Sequence, residues 1–82
     1  MNKKEKMMQK SIEAFYEVMK NHKEFVPHSK IYGEFFDEMR RRGIKANIPT
    51  RQQFAMFTSS LEDIEKEYRV YNRRREIHMR KV

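Results

Sequence analysis

Apolar side chains recur at helical spacing from the start of the chain. Met8, Ile12, Phe15 and Met19 stand four, three and four residues apart, with Met7, Ser11, Tyr16 and Val18 beside them. A stripe of that period on an otherwise charged segment predicts an amphipathic helix over residues 3–21, with residues 1–6 fraying at its entry. Pro27 biases Val26 toward an extended backbone, so the helix stops before it. A second stripe, Ile31, Tyr32, Phe35, Phe36 and Met39, predicts a helix that opens on Ser29 as its cap and runs to Arg42. Arg40, Arg41 and Arg42 suit the negative end of that helix's dipole, and Gly43 suits the left-handed residue that closes it. Gly33 costs a helix interior about 1 kcal/mol relative to Ala, which implies close packing against another helix.

Residues 44–49 make a short connection. Thr50 and Gln53 match the Thr-x-x-Gln capping box and open a third helix that runs to Leu61. Its buried face is Phe54, Phe57 and Leu61, and Arg51, Gln52, Thr58 and Ser59 point outward. Beyond Leu61 two patterns compete. Read as helix, Leu61, Ile64, Tyr68 and Tyr71 keep a rough period, giving an all-α domain with a basic C-terminal helix. Read as hairpin, Tyr68, Val70, Ile77 and Met79 alternate with Arg69, Tyr71, Glu76, His78 and Arg80, and residues 72–75 form the tip. Enrichment in Tyr, Val and Ile favours strands, while the lack of Gly at the tip counts against a tight turn. The preferred reading is α+β, with three helices and a C-terminal hairpin.

The 82 residues allow one domain, 1–82, and its ten aromatic side chains supply the bulk of a small core. With no Cys there is no disulfide framework, thiolate zinc site or cysteine nucleophile, which accords with a reducing interior. The longest apolar run, Phe54-Ala55-Met56-Phe57, is far short of the roughly 20 residues of a membrane span. No apolar stretch follows the basic N-terminal residues, so no secretory signal is read there. The expectation is a soluble cytoplasmic domain that does not engage membranes.

Charge adds a location. The net value is +7, but residues 39–52 and 68–82 contribute +5 each, residues 26–38 carry −2, and the run EDIEKE at 62–67 carries −3 as a linker. Segregation of that kind points to a nucleic-acid surface more than the total does.

Helix, extended Val-Pro, helix, connection, helix and basic hairpin is the order of a winged helix. The run VPHSKIYGEFFDEMRRRGIKANIPTRQQFAMFTSSL resembles the winged-helix DNA-binding module at the C-terminal end of phage and large-virus primase–helicases. Val26, Pro27, Ile31, Tyr32, Phe35 with Phe36, Gly43, Thr50, Phe54 and Leu61 occupy that family's core and capping positions. The spacing from Phe54 to Leu61 is longer than that family's, and the chain departs from the pattern in three further ways. Glu38-Met39-Arg40 replaces an aromatic-Cys pair, the hairpin is not glycine-rich, and no primase or helicase domain accompanies the module. The resemblance covers residues 15–82 and implies a hairpin wing that reaches the minor groove or neighbouring phosphates.

A helix-turn-helix places the start of its second helix in the major groove. Here that surface is Thr50, Arg51, Gln52 and, if it turns outward, Gln53. Arg can read guanine and Gln adenine, and a helix N-terminus with a cation favours a phosphate. Lys45 and Asn47, in the preceding connection, reach the backbone, and Arg73, Arg74 and Arg75 do so from the wing tip. His22, His28 and His78 lack metal-ligand spacing and read as surface histidines. The acidic groups around Glu34 and Glu62 read as solvated faces or salt-bridge partners, and the two glycines make no phosphate loop. No catalytic residue, metal or cofactor is expected.

These residues suggest a small DNA-binding protein, phage- or mobile-element-encoded, that acts on duplex DNA in transcription control or replication. The alternative is a protein-interaction module that binds and inhibits a host replication or defence protein, with Met7, Met8 and Met19 as an adaptable surface. Single-strand or RNA binding would draw on Tyr71, the outward aromatic of the hairpin.

Overall fold

Helix, strand, helix, helix, strand and strand follow one another along the chain. A computed structural model describes residues 3–82; of the fraying expected for residues 1–6, the first two lie outside the described residues, and residues 3–6 belong to a helix. The elements are α1 (Lys3–Met19), β1 (Val26–Pro27), α2 (His28–Arg41), α3 (Arg51–Ser59), β2 (Ile64–Tyr71) and β3 (Arg74–Lys81). The strands form one antiparallel sheet in the order β1-β3-β2, with β2 at a free edge. The architecture is α+β, and the C-terminal segment is a hairpin. The all-helical reading fails because its period skips the alternation that the sheet uses.

One aromatic cluster joins the three helices. Phe54 of α3 is fully buried, with ring centroids 4.9 Å from Phe35, 5.3 Å from Tyr32, 5.4 Å from Phe57 and 5.6 Å from Phe15. Ala14, Val18 and Met19 of α1, Ile31 and Met39 of α2, and Val26 and Met79 of the sheet complete it. The buried line of α1 runs through Ser11, Ala14, Phe15 and Val18, leaving Met8 largely exposed. Of the expected stripe Phe15 and Met19 are buried and Ile12 packs against the core, so only Met8 departs from it, while Ser11, Ala14 and Val18 widen the buried face on one side. Thr58, expected outside, is buried. Its hydroxyl is satisfied by the Phe54 carbonyl at 2.8 Å, which lets a polar side chain sit in the core.

Helix ends follow local chemistry in two places out of three. At α3, Thr50 Oγ1 accepts from the Gln53 N–H at 3.2 Å, and Gln53 Oε1 accepts from the Thr50 N–H at 3.0 Å, completing the capping box. At the end of α2, Gly43 takes φ 85°. Its N–H reaches the Arg40 carbonyl at 2.9 Å and the Ile44 N–H reaches that of Met39 at 3.0 Å, which is a Schellman closure.

Ser29 does not cap α2. The helix begins one residue earlier, behind Pro27, with no side-chain cap of its own. The Ser29 N–H instead donates to Glu76 Oε1 of β3 at 2.8 Å, so a distant carboxylate serves the helix N-terminus. Hydrogen bonds from Ser29 hold the Glu76 carboxyl below its usual value of 4.5. The unfolded chain therefore binds that proton first as pH falls, and the stabilisation present above pH 4.5 is lost as pH drops through the lowered value. Glu76→Gln should lower stability by about 1 kcal/mol at neutral pH and flatten the acid limb of Tm against pH. An acid limb that superimposes on that of the parent chain would refute the coupling.

Gly33 is not a packing glycine. It is exposed, and a Cβ built there meets nothing within 4 Å. Gly33→Ala should stabilise the domain by about 1 kcal/mol, read as a raised urea midpoint at unchanged slope. A lowered midpoint would contradict the open surroundings.

Two side chains lock the sheet to the helices. The Tyr16 hydroxyl donates to Asp63 Oδ1 at 2.5 Å, and burial followed by that bond pushes its pKa up to about 12. Lys66 Nζ donates to the Ala55 carbonyl at 3.0 Å and to Ser59 Oγ at 2.7 Å, a cation at the negative end of α3. Burial lowers the Lys66 pKa. The segment 62–67 is thus no linker, since its second half is the root of β2.

Candidate nucleic-acid interface

Strand alternation sorts the hairpin into two chemically different faces. Val26 and Met79 are register partners and both are buried against the helices. Pairing of Lys66 with Met79 and Tyr68 with Ile77 puts Ile64, Lys66, Tyr68, Val70, Arg75 and Ile77 on that same side. Glu65, Glu67, Arg69, Tyr71, Arg74, Glu76, His78 and Arg80 face the other way. All three acids of the two strands are therefore on that second side, where Glu76 reaches the N-terminus of α2. The side shared with α3 carries cations only.

Two of the three arginines on the far face are compensated there. Arg80 Nη2 donates to Glu65 Oε2 at 2.6 Å and Arg69 Nη2 to Glu67 Oε2 at 3.2 Å. Both guanidinium groups also lie over the Phe25 ring, at 4.3 Å for Arg69 and 4.6 Å for Arg80. Such stacking fixes the two groups at the root of the hairpin. His78 is buried on this side, with Tyr71 6.1 Å away, so it is not a surface histidine. His22 is likewise engaged, 2.8 Å from Glu34 Oε1. His28 packs on Phe54 at 5.1 Å, and burial, followed by the charge of Lys66, lowers its pKa. Among the described residues no cluster of metal-ligating side chains forms.

The tip is tighter than four residues. Tyr71 pairs with Arg74, which leaves Asn72 and Arg73 as a two-residue turn, at φ 51° and 63°. Both central residues left-handed is the arrangement whose twist matches a hairpin. Asn accepts that conformation readily and Arg does not, so the turn forms without Gly at some cost to Arg73. Arg74 and Arg75 are strand residues on opposite faces. Arg75 lies 4.9 Å over the Tyr68 ring.

Ion pairing divides the two basic segments. Arg41 and Arg42 bond to Glu38, Arg69 to Glu67, Arg80 to Glu65, and Lys81 lies 3.9 Å from Asp63. Arg40, Lys45, Arg51, Arg73, Arg74 and Arg75 are exposed and, among the described residues, have no carboxylate within ion-pair distance. Arg51 sits at the N-terminus of α3, 5.8 Å over the Tyr32 ring, whose hydroxyl is tied to the Pro49 carbonyl at 2.7 Å. The start of α3 thus presents free backbone donors beside a positioned cation.

The other expected contacts divide as well. Gln52 is exposed and engages no partner among the described residues, while the Gln53 side chain is consumed by the cap. Thr50 is exposed, and its hydroxyl oxygen accepts within that same cap. Asn47, at φ 60°, lines an apolar cleft of about 260 Å³ with Met7, Met8, Ser11, Pro49, Gln53 and Phe57. Residues that sequence reading passed over are Tyr68 and Val70. They lie on the helix-side face yet are 59% and 77% exposed, because the hairpin outruns the helices that cover its root.

No helix among the described residues is long and apolar enough to cross a membrane. No protein-family model matches the chain, and no curated protein or solved structure shows significant similarity to it.

Proposed function

We propose that the chain is a winged-helix DNA-binding protein, with α2 and α3 as its helix-turn-helix and the β2–β3 hairpin as its wing. The observation that carries this reading is the division of the arginines and lysines. Within the two basic segments, those without carboxylate partners among the described residues are Arg40 at the end of α2, Lys45 and Arg51 around the entry to α3, and Arg73, Arg74 and Arg75 at the hairpin end. The helix-side face between them holds no acid. In such a complex α3 enters the major groove, Lys45 and Arg51 meet phosphates, and the wing tip meets the flanking backbone or minor groove. The reading assigns binding and no catalysis.

The resemblance to the C-terminal module of phage and large-virus primase–helicases belongs to this proposal, as does a role in replication or transcription control of a phage or mobile element. Its support is the match of core and capping positions, which speaks for fold before function. Salt-titrated binding to duplex, single-stranded DNA and RNA probes tests it. Tight, salt-sensitive binding to duplex is the expected result, and equal binding to every polyanion would refute it.

A second reading has one observation of its own. The apolar cleft lined by Met7, Met8 and Phe57 offers a flexible contact for a protein partner, such as a host replication or defence protein, whereas Met19, expected beside them, is buried in the core and takes no part. Retention of one stoichiometric partner, with duplex affinity no better than that of an unrelated basic protein, would favour it.

A further inference from the structure

Met56 is the most exposed large apolar side chain on the described helices, at 68%, and it sits in the middle of α3. Nothing in the domain explains it. The core takes its neighbours Phe54 and Phe57 and leaves Met56 on the opposite side with Gln52, one turn earlier. Other polar groups on this helix are already committed. Gln53 serves the cap, and Ser59 donates to the Ala55 carbonyl at 2.8 Å while accepting from Lys66. Two side chains are thus left for a base edge, an amide and a thioether, spaced about 6 Å along the helix axis. That rise is close to two base-pair steps of about 3.4 Å.

Their chemistry selects among base pairs. Guanine is read by a cationic fork and cytosine by a carboxylate, and the outward face of α3 beyond Arg51 offers neither. Gln52 can donate to adenine N7 and accept from adenine N6. Met56 makes no strong hydrogen bond, so against guanine O6 or the cytosine amino group it would leave a buried polar atom unsatisfied. The thymine C5-methyl is the one major-groove feature it can bury without that penalty. Resting on the duplex-DNA reading, we propose that α3 is a reader of A·T base pairs, with Gln52 on adenine and Met56 on the thymine methyl.

Three duplexes of equal length test this at one salt concentration: alternating A-T, the same sequence with uracil in place of thymine, and alternating G-C. Uracil removes only the methyl, which projects into the major groove, so the minor groove and phosphates are unchanged. The parent chain should bind A-T about fourfold more tightly than A-U for each methyl buried, and G-C more weakly than either. Met56→Ala should bring A-T and A-U to equal affinity. Gln52→Ala should reduce the A-T over G-C preference by about tenfold while keeping the methyl effect. Both positions are exposed, so the variants fold, and unchanged thermal unfolding confirms it. Equal affinity of the parent for A-T and A-U, a preference for G-C, or a methyl effect that survives Met56→Ala overturns the inference and leaves DNA binding standing. Absence of duplex binding overturns both.

Discussion

Raising salt fourfold, from about 50 to about 200 mM, should weaken duplex binding by roughly 500-fold. The figure follows from five phosphate contacts, by Lys45, Arg51, Arg73, Arg74 and Arg75, each releasing a counterion, for a log–log slope of about −4.5. Replacing Arg73, Arg74 and Arg75 together with Ser should reduce the slope to about −1.8, and the same salt step should then cost only about 12-fold. Helix content and thermal unfolding should stay close to those of the parent, because none of the three is ion-paired and all are exposed. The ion-paired arginines provide the internal control. Arg69→Ser, which removes a stack on Phe25 and a bond to Glu67, should leave the slope near its parent value. A slope set equally by Arg69 and by the tip would mean that the division by ion pairing is not the division by function.

Phe54→Ala carries the largest expected effect on stability, a loss of about 3–5 kcal/mol. Phe54 touches rings from α1, α2 and α3, so its removal opens a void where three helices meet and none can close it alone. A domain of 82 residues has a total stability of about 4–12 kcal/mol, so the substitution should remove from roughly a quarter to all of it. Met56→Ala, two residues on and outside the core, should shift stability by less than about 0.5 kcal/mol. Urea denaturation of both variants makes the comparison. A Phe54→Ala loss below about 1.5 kcal/mol would show that the cluster repacks.

What could be read from the sequence was what the chain settles locally. The capping box at Thr50 and Gln53 and the closure at Gly43 each involve residues within five positions of one another, and both appear where expected. The alternation of Tyr68 and Val70 with Arg69 and Tyr71 gave the correct faces of the hairpin. What escaped depends on partners far along the chain. Ser29 has the composition of a cap, but Glu76, 47 residues away, takes that place. Lys66 belongs to an acidic run in sequence and to the end of α3 in space. The basic segments look uniform until carboxylates pair with five of their eleven cations, Arg80 and Lys81 across the hairpin and Arg41, Arg42 and Arg69 close in sequence. Of the candidate site, the cations at both ends of the surface were therefore visible. Met56 was not, because an apolar residue between Phe54 and Phe57 reads as core until the helix phase is fixed.

The free edge of β2 has one more consequence. Its eight residues leave a row of backbone donors and acceptors without a neighbouring strand. Such a row is a template for adding strands from other copies, and through them for fibrils. Glu65, Lys66, Glu67 and Arg69 place alternating charge along its first part, so that a second strand would meet ionised side chains on both faces. Toward the tip that protection thins to Tyr68, Val70 and Tyr71, where nucleic acid is proposed to lie. Bound duplex would then act as a chaperone for the hairpin, covering the stretch of edge that the chain leaves most prone to aggregation.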